Sequence, residues 1–179
     1  TLQLFVRIKG AITTLNGAIS TTYTARHCAV DVVCGMNLTS LQLGNTNEAK
    51  RSWYRLRYWR FVGNGGVSSL PNAFYNCKNL ICVGCEKQNV ISGPLNSAFR
   101  NAERLMAVSS NLISGSNEAV NAGYMFEDCS LPIVKSFSFK CENATTMFNG
   151  GGAVEVDFAT IDTSECTGFG TMFYNVYCI

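Results

Sequence analysis

The chain is poor in the side chains on which enzymes and metal proteins most often depend. It has one histidine among 179 residues, and only 15% of its residues are charged. A structural zinc site needs four ligands at matched spacings, which one histidine does not supply. Neither the phosphate-binding glycine motif nor the nucleophile-elbow motif occurs. His27 and Cys28 are neighbours, which on a strand point to opposite faces. We therefore predict no enzymatic activity, no metal site and no cofactor.

Other absences limit the architecture and the partners. The chain has three prolines and 16 glycines, which are ordinary numbers and indicate no linker. We therefore predict one domain over residues 1–179. The longest apolar runs, such as residues 80–85, are far too short to span a bilayer. No signal peptide is visible. The net charge is +2 and no basic stripe runs along the chain, which argues against nucleic acid as a partner.

A short sequence motif centred on a phenylalanine recurs through the second half of the chain. The phenylalanines are 25, 27, 22 and 25 residues apart, and they are Phe74, Phe99, Phe126, Phe148 and Phe173. A fixed period in this range is typical of a solenoid, in which each unit stacks only on its neighbours. We predict that these five rings form a buried column.

An apolar-x-apolar step follows each of the first four phenylalanines after five or six residues, and it is typical of a strand with one buried face. The same spacing extends backwards to the start of the chain. The sequence therefore predicts a repeat solenoid, with one short parallel strand per repeat of about 25 residues and irregular or short helical return segments. The predicted strands are Leu4–Val6, Val30–Val32, Leu56–Tyr58, Leu80–Cys82, Leu105–Ala107, Leu131–Ile133 and Val154–Val156.

The repeats resemble a known family. Met125-Phe126-Glu127-Asp128-Cys129 and Met172-Phe173-Tyr174-Asn175 are similar to the Met-Phe-x-x-Cys repeats of bacterial surface proteins of the BspA type, which are leucine-rich repeats. The resemblance is clear over residues 73–179. Residues 1–60 are divergent, with Thr24 and Lys50 where phenylalanine is expected. The resemblance implies a curved, leucine-rich-repeat-like ladder with roles in adhesion and partner binding.

Arginine residues are interleaved with aromatic residues between positions 51 and 61, and two interpretations stay open. In one, the aromatics fill the core and the arginines keep the surface soluble. In the other, this segment contacts a ligand, because Leu56 and Tyr58 point inward and the residues between and beside them point outward. The ligand-contact candidates on neighbouring strands are then Arg55, Arg57, Trp59, Ile81 and Met106.

The same alternation predicts an apolar strip on the exposed sheet face. Its members are Ile81, Val83, Met106, Val108, Pro132 and Val134. A contiguous apolar patch rimmed by polar groups marks an interaction site. A neighbouring domain or a loop would also cover such a strip, and we favour a protein partner.

The chain has nine cysteines, and Cys77 and Cys129 occupy a small apolar position of the repeat, where we predict free thiols. Cys77 and Cys129 lie two repeats apart, roughly 10 Å, which exceeds the roughly 7 Å limit for a disulfide. Cys141 and Cys166 occupy the same slot in adjacent repeats, where a disulfide is geometrically feasible. We favour free stacked thiols there, because other repeats place small residues in that slot. The Cys82-x-x-Cys85 pair resembles a redox or zinc pair in spacing alone, and we predict that both cysteines are structural.

Two functions fit these features. The first is a non-enzymatic binding or adhesion module that presents its exposed sheet face to a protein or glycan at a cell surface or outside the cell. The alternative is a structural or receptor-binding component of a virion fibre, a tail or another large assembly. Ile179 falls where an eighth strand would begin, so we expect a piece of a longer chain. Flanking domains or stacked subunits should cover both solenoid ends, and the isolated piece should associate.

Overall fold

The chain coils into a parallel β-solenoid of about five turns. The computed structural model describes residues 14–16, 31–44, 53, 55–115, 118–135, 137–152 and 155–177. No helix occurs in these segments. The predicted solenoid with short strands in each repeat is confirmed. The predicted strand Leu4–Val6 lies outside the described residues.

Short strands of two to five residues make up the described turns. They are β1 Thr14–Asn16, β2 Asp31–Cys34, β3 Asn37–Leu38, β4 Ser40–Gln42, β5 Tyr58–Phe61, β6 Gly66–Val67, β7 Cys82–Cys85, β8 Ala107–Val108, β9 Ala119–Asn121, β10 Ile133–Val134, β11 Phe139–Asn143, β12 Glu155–Val156 and β13 Ile161–Asp162. Every pairing between them is parallel.

The main sheet runs through the middle of the chain. It has four strands in the order β2, β5, β7 and β8, and β10 pairs with β12 in a separate two-stranded sheet. Tyr58 pairs with Cys82 and Cys82 with Ala107, as the repeat spacing predicts. Asp31 pairs with Tyr58, one residue away from the predicted register, so the divergent first repeats are offset by one position. Ile133 likewise pairs with Glu155 and not with Val156.

The return segments add further strands and no helix among the described residues. Strand β3 pairs with β6, and β9, β11 and β13 form a three-stranded sheet with β11 in the centre. Val90 and Ser114 form an isolated bridge between these two groups. Each turn is therefore held to the next along more than one side.

A tight turn surrounds each repeat phenylalanine. The five turns, named here the phenylalanine turns, are residues 72–76, 97–101, 124–128, 146–150 and 171–175. In each one, the residues two before and two after the phenylalanine have positive φ, between 53° and 65°. Left-handed backbone costs roughly 1–2 kcal/mol at residues with a Cβ, and asparagine, aspartate and glycine tolerate it best. Asn76, Asn101, Asp128, Gly150 and Asn175 occupy the second of these positions.

This backbone aims alternate N–H groups along the solenoid axis. Asn72, Phe74 and Asn76 donate to the carbonyl oxygens of Asn96, Ala98 and Arg100 at 3.0, 2.7 and 2.9 Å. The three turns that follow repeat the same three hydrogen bonds. The phenylalanine turns thus form a ladder of backbone hydrogen bonds in which every N–H points toward the later repeat.

The phenylalanine rings stack directly above one another inside this ladder. Successive ring centroids from Phe74 to Phe173 lie 5.4, 5.3, 5.7 and 5.5 Å apart, with interplanar angles of 4–9°. The first four rings are buried, which confirms the predicted column. Phe173 is 50% exposed, against the prediction, because no described turn covers its outer face.

Replacing Phe126 by alanine should lower the free energy of unfolding by roughly 3–5 kcal/mol, because both ring faces lose a stacked neighbour and a cavity forms. Phe173→Ala is the matched control and should cost only about 1 kcal/mol, since half of its ring is exposed. Urea unfolding followed by circular dichroism measures both. Equal losses would contradict the described packing.

Candidate functional site

The outward side of the four-stranded sheet is the candidate binding surface. We name it the open sheet face, and it comprises Asp31, Val33, Arg57, Tyr58, Arg60, Ile81, Cys82, Gly84, Met106 and Ala107. Seven of these side chains stand in two rows across the strands, because in-register parallel pairing aligns every second residue. The rows run Asp31–Tyr58–Cys82–Ala107 and Val33–Arg60–Gly84, and Arg57, Ile81 and Met106 lie directly before the first row.

Trp59 does not belong to this face, and the prediction that it points outward is wrong. Its side chain is only 2% exposed and packs edge-on against Phe61 and Phe74, with ring centroids 5.8 Å apart in both pairs. The interpretation in which the aromatics of this segment fill the core therefore holds for Trp59. Tyr58, predicted to point inward, is 44% exposed instead.

A local irregularity precedes β7 and β8 and shifts the alternation there. The N–H groups of Ile81 and Cys82 both donate to the carbonyl of Arg57, at 2.7 and 3.2 Å. Met106 and Ala107 share the carbonyl of Ile81 in the same way. Two successive residues therefore face outward before the two-residue alternation begins, as at a β-bulge. Counted from the buried leucine before each strand, the inward residues are then the first, fourth and sixth, as Leu56, Trp59 and Phe61 are.

The predicted apolar strip is wrong for the same reason. Val83 and Val134 are buried in the core, and Val108 packs against it. Ile81 and Pro132 are half-buried and Met106 is 55% exposed. The open sheet face therefore mixes apolar and basic groups in place of a continuous apolar band.

The remaining ligand-contact candidates keep an accessible position. Arg57 and Met106 are exposed on the open sheet face, and Ile81 is half-buried between them. Arg55 is exposed in the turn that precedes β5. Four of the five candidates thus lie at or beside this face, and Trp59 lies beneath it.

Sequence reasoning missed Tyr58, Arg60 and Val33 as members of the face. A Cβ placed on Gly84 would lie 3.5 Å from Arg60 Cγ, so the stem of Arg60 lies beside the surface that the glycine leaves bare. The signal was present in the sequence. Leu56-x-x-Trp59-x-Phe61 and Leu80-x-x-Val83-x-Cys85 share one spacing of buried residues, and that spacing leaves Arg60 and Gly84 outward.

A second group of polar side chains lies on the phenylalanine turns. Arg100 is placed between the rings of Tyr75 and Tyr124, at 5.5 and 5.0 Å from their centroids. Its Nε lies 2.5 Å from Glu127 Oε2. Burial raises the pKa of Glu127 while Arg100 acts in the opposite direction. Because Arg100 and Glu127 neutralise each other, this ion pair joins neighbouring turns and leaves little net charge to attract a ligand.

A shallow, open depression of about 560 Å³ lies beside these turns, and its lining is largely polar. Lys78, Glu103, Asp128 and Tyr177 contribute to it. Lys78 Nζ and Glu103 Oε1 lie 2.5 Å apart, so these two charges also pair with each other. The depression is weaker than the open sheet face as a site for a charged ligand.

The described cysteines are free thiols, as predicted for Cys77 and Cys129 and favoured for Cys141 and Cys166. The Sγ atoms of Cys141 and Cys166 lie 3.8 Å apart. Burial raises the pKa of Cys77 to about 12 and that of Cys129 further. Cys82 is half-buried on the open sheet face.

No group of three or more histidine, cysteine, aspartate or glutamate side chains that could hold a metal ion occurs in the described part of the chain. His27 and Cys28 lie outside it. The described residues also include no helix long and apolar enough to cross a membrane. Comparison with protein-family models, with curated proteins and with solved structures finds no match for this chain.

Thiol reactivity should distinguish the cysteine environments. At pH 8 we expect N-ethylmaleimide to modify Cys82 in the folded protein, more slowly than free cysteine because burial raises the pKa of its thiol. Cys77 and Cys129 should stay unmodified until urea unfolds the chain, since both are buried and deprotonate only at much higher pH. Peptide mass spectrometry measures the modified fraction at each position. Rapid labelling of Cys129 in the native state would contradict the described core.

Proposed function

We propose that this solenoid is a non-enzymatic binding or adhesion module, of the leucine-rich-repeat type that its repeats resemble, which holds a protein or glycan at a cell surface or outside the cell. The observation that carries the proposal is the composition of the open sheet face. A tyrosine, two arginines and two exposed apolar side chains stand there on one rigid sheet: Tyr58, Arg57, Arg60, Val33 and Met106.

The charges on this face favour recognition over a purely structural role. Neither Arg57 nor Arg60 forms an ion pair with a described residue, whereas Arg100 on the phenylalanine turns does. Arginine and tyrosine are enriched among the residues that dominate binding energy at protein interfaces. Their planar groups also stack on sugar rings while donating hydrogen bonds to hydroxyls, so the same side chains suit a glycan.

The scaffold supports this use of the face. The main sheet is fixed from below by Trp59, Phe61 and Val83, which are buried in the core. A solenoid presents such a surface as an extended, preorganised array, and preorganisation lowers the entropic cost of binding.

The alternative is a structural or receptor-binding component of a virion fibre, a tail or another large assembly. The observation in its favour is the cluster of exposed aromatic side chains on the last described turn, which includes Phe173, Tyr174 and Tyr177. Neighbouring genes separate the two functions. Capsid or tail genes favour the alternative, and an export signal with a surface anchor favours the first.

The variant Arg60→Ala should weaken ligand binding at least about tenfold and leave the thermal midpoint within a few degrees of wild type, because Arg60 is exposed. The measurement uses the labelled protein on a glycan array and on a panel of immobilised extracellular matrix proteins, followed by titration against each ligand that the wild type binds. Bulky maleimide attached to Cys82 should block the same ligands, since this thiol lies on the same face.

Lys140→Ala provides the matched control. It removes the same charge from β11, on another sheet, where Lys140 Nζ lies 2.5 Å from Glu165 Oε1. Binding should stay at the wild-type level in this variant. Equal weakening by both substitutions, or no binding to any glycan or matrix protein, would contradict the proposed function.

A further inference from the structure

Most lysine and arginine side chains of the described surface already have a partner. The side chains that form ion pairs with carboxylates are Lys78, Arg100, Lys135 and Lys140. Lys87 and Arg104 donate to asparagine side chains. Arg57 and Arg60 differ from all of these, because neither side chain has an ion pair or a hydrogen bond with any described residue. Both arginines lie on the open sheet face, where their charge is available to a ligand.

Arg57 and Arg60 lie close together on one segment. Arg60 comes three positions after Arg57, so their Cα atoms are no more than about 11 Å apart. Both side chains are exposed, and Tyr58, which is 44% exposed, follows Arg57 directly. The stem of Arg60 lies beside Gly84, which has no side chain to stand above the sheet. These residues form a flat platform with two positive groups and one phenol ring.

Two carboxylates border this platform. Asp31 begins β2, where it pairs with Tyr58, and Glu86 directly follows β7. Glu86 Oε2 accepts a hydrogen bond from the N–H of Gly63 at 2.9 Å, so this carboxylate is already engaged. Asp31 is exposed and forms no ion pair with a described residue. The platform is therefore only weakly positive, which suits a few separate anionic groups and opposes a dense row of them.

We propose that the open sheet face binds an acidic polysaccharide in which carboxylates occur on alternate sugar rings. Arg57 holds one carboxylate and Arg60 holds the next, and the neutral ring between them stacks on Tyr58. The distance between the two arginines is comparable to the length of two sugar rings in an extended chain. This inference rests on the proposed binding function and names the chemical class of its ligand.

The charges of the face favour this spacing of anionic groups. A guanidinium group suits a carboxylate because its planar fork donates two parallel hydrogen bonds to the two oxygens. Nucleic acids and heavily sulfated polysaccharides carry charges at much closer intervals, and their binding needs a line of cations. Arg57 and Arg60 do not form such a line, and Asp31 at the edge of the platform repels any additional anionic group.

The geometry of the sheet favours a glycan over a protein segment. A peptide that binds as an added strand needs a free sheet edge. Strand β5, which carries Tyr58 and Arg60, lies between β2 and β7, so both of its edges are paired. The residues that dominate protein interfaces fill well-packed pockets, whereas Gly84 leaves this part of the face flat. A sugar ring needs no pocket, because it stacks on a planar side chain.

The test compares two polymers that differ only in charge. One is hyaluronan, in which glucuronate alternates with a neutral amino sugar, and the other is hyaluronan whose carboxylates have been reduced to primary alcohols. Isothermal titration of the full chain should show at least about tenfold tighter binding of the carboxylated polymer. About 1 M salt should remove most of this difference, because the Debye length then falls to about 3 Å.

Substitutions assign the binding to individual side chains. Arg57→Gln and Arg60→Gln should each weaken the binding of hyaluronan about tenfold and leave the binding of the reduced polymer unchanged. Asp31→Asn should strengthen the binding of hyaluronan, because it removes a like charge from the platform. Lys135→Gln is the matched control and should have no effect, since Lys135 Nζ lies 2.7 Å from Glu155 Oε1, outside the main sheet. Circular dichroism verifies that each variant is folded.

The outcomes separate this inference from the proposed function. Equal binding of the two polymers, or at least about tenfold tighter binding of heparin than of hyaluronan, would overturn the inference. If Arg60→Gln then weakens the binding of a neutral glycan or a matrix protein, the proposed function still holds. A chain that binds no glycan and no matrix protein contradicts both. The comparison of polymers uses the unmodified chain, so it decides the matter even where a variant does not fold.

Discussion

The rest of the structure depends on the hydrogen-bond ladder through the phenylalanine turns. Two left-handed residues in each turn, such as Asn72 and Asn76, aim three N–H groups along the solenoid axis, and the next turn supplies the carbonyls. The phenylalanine between these two residues stacks on the phenylalanine of the next turn, with ring centroids 5.3–5.7 Å apart. The turns therefore stack in register, and that register fixes the strands that follow, since only a few residues separate Phe74 from Leu80.

The open sheet face is a consequence of this constraint. Because the turns stack in register, the strands that follow them also begin in register. The carbonyl of Arg57 accepts two hydrogen bonds from the next repeat, and the carbonyl of Ile81 does the same one repeat later. The N–H groups that share one carbonyl belong to two successive residues that face outward, and Val83 then lies in the core, where it pairs with Trp59. The tyrosine and arginines that remain outside are held by strands whose inner side is fully packed, which gives a binding surface with little freedom to rearrange.

The same ladder gives the solenoid a polarity. All of its N–H groups point toward later repeats, so the two sides of each turn are chemically different. Leu43 and Gly44 cover the carbonyl side of the first phenylalanine turn, where both donate to the carbonyl of Ala73. The open sheet face is thus defined by its side chains, whereas the phenylalanine turns are joined by the direction of the backbone.

The sequence by itself determined the repeat, the solenoid, the phenylalanine column and the parallel register between β5, β7 and β8, because a period repeated five times averages out local irregularities. It also placed Arg57 and Met106 outside and left Cys77 and Cys129 as buried thiols. Only the tertiary structure decided which way Trp59 points, because the apolar residues of this segment fit both a two-residue alternation and the spacing Leu56-x-x-Trp59-x-Phe61. The pairing of Trp59 with the buried Val83, 24 positions later in the next repeat, selects the second of these.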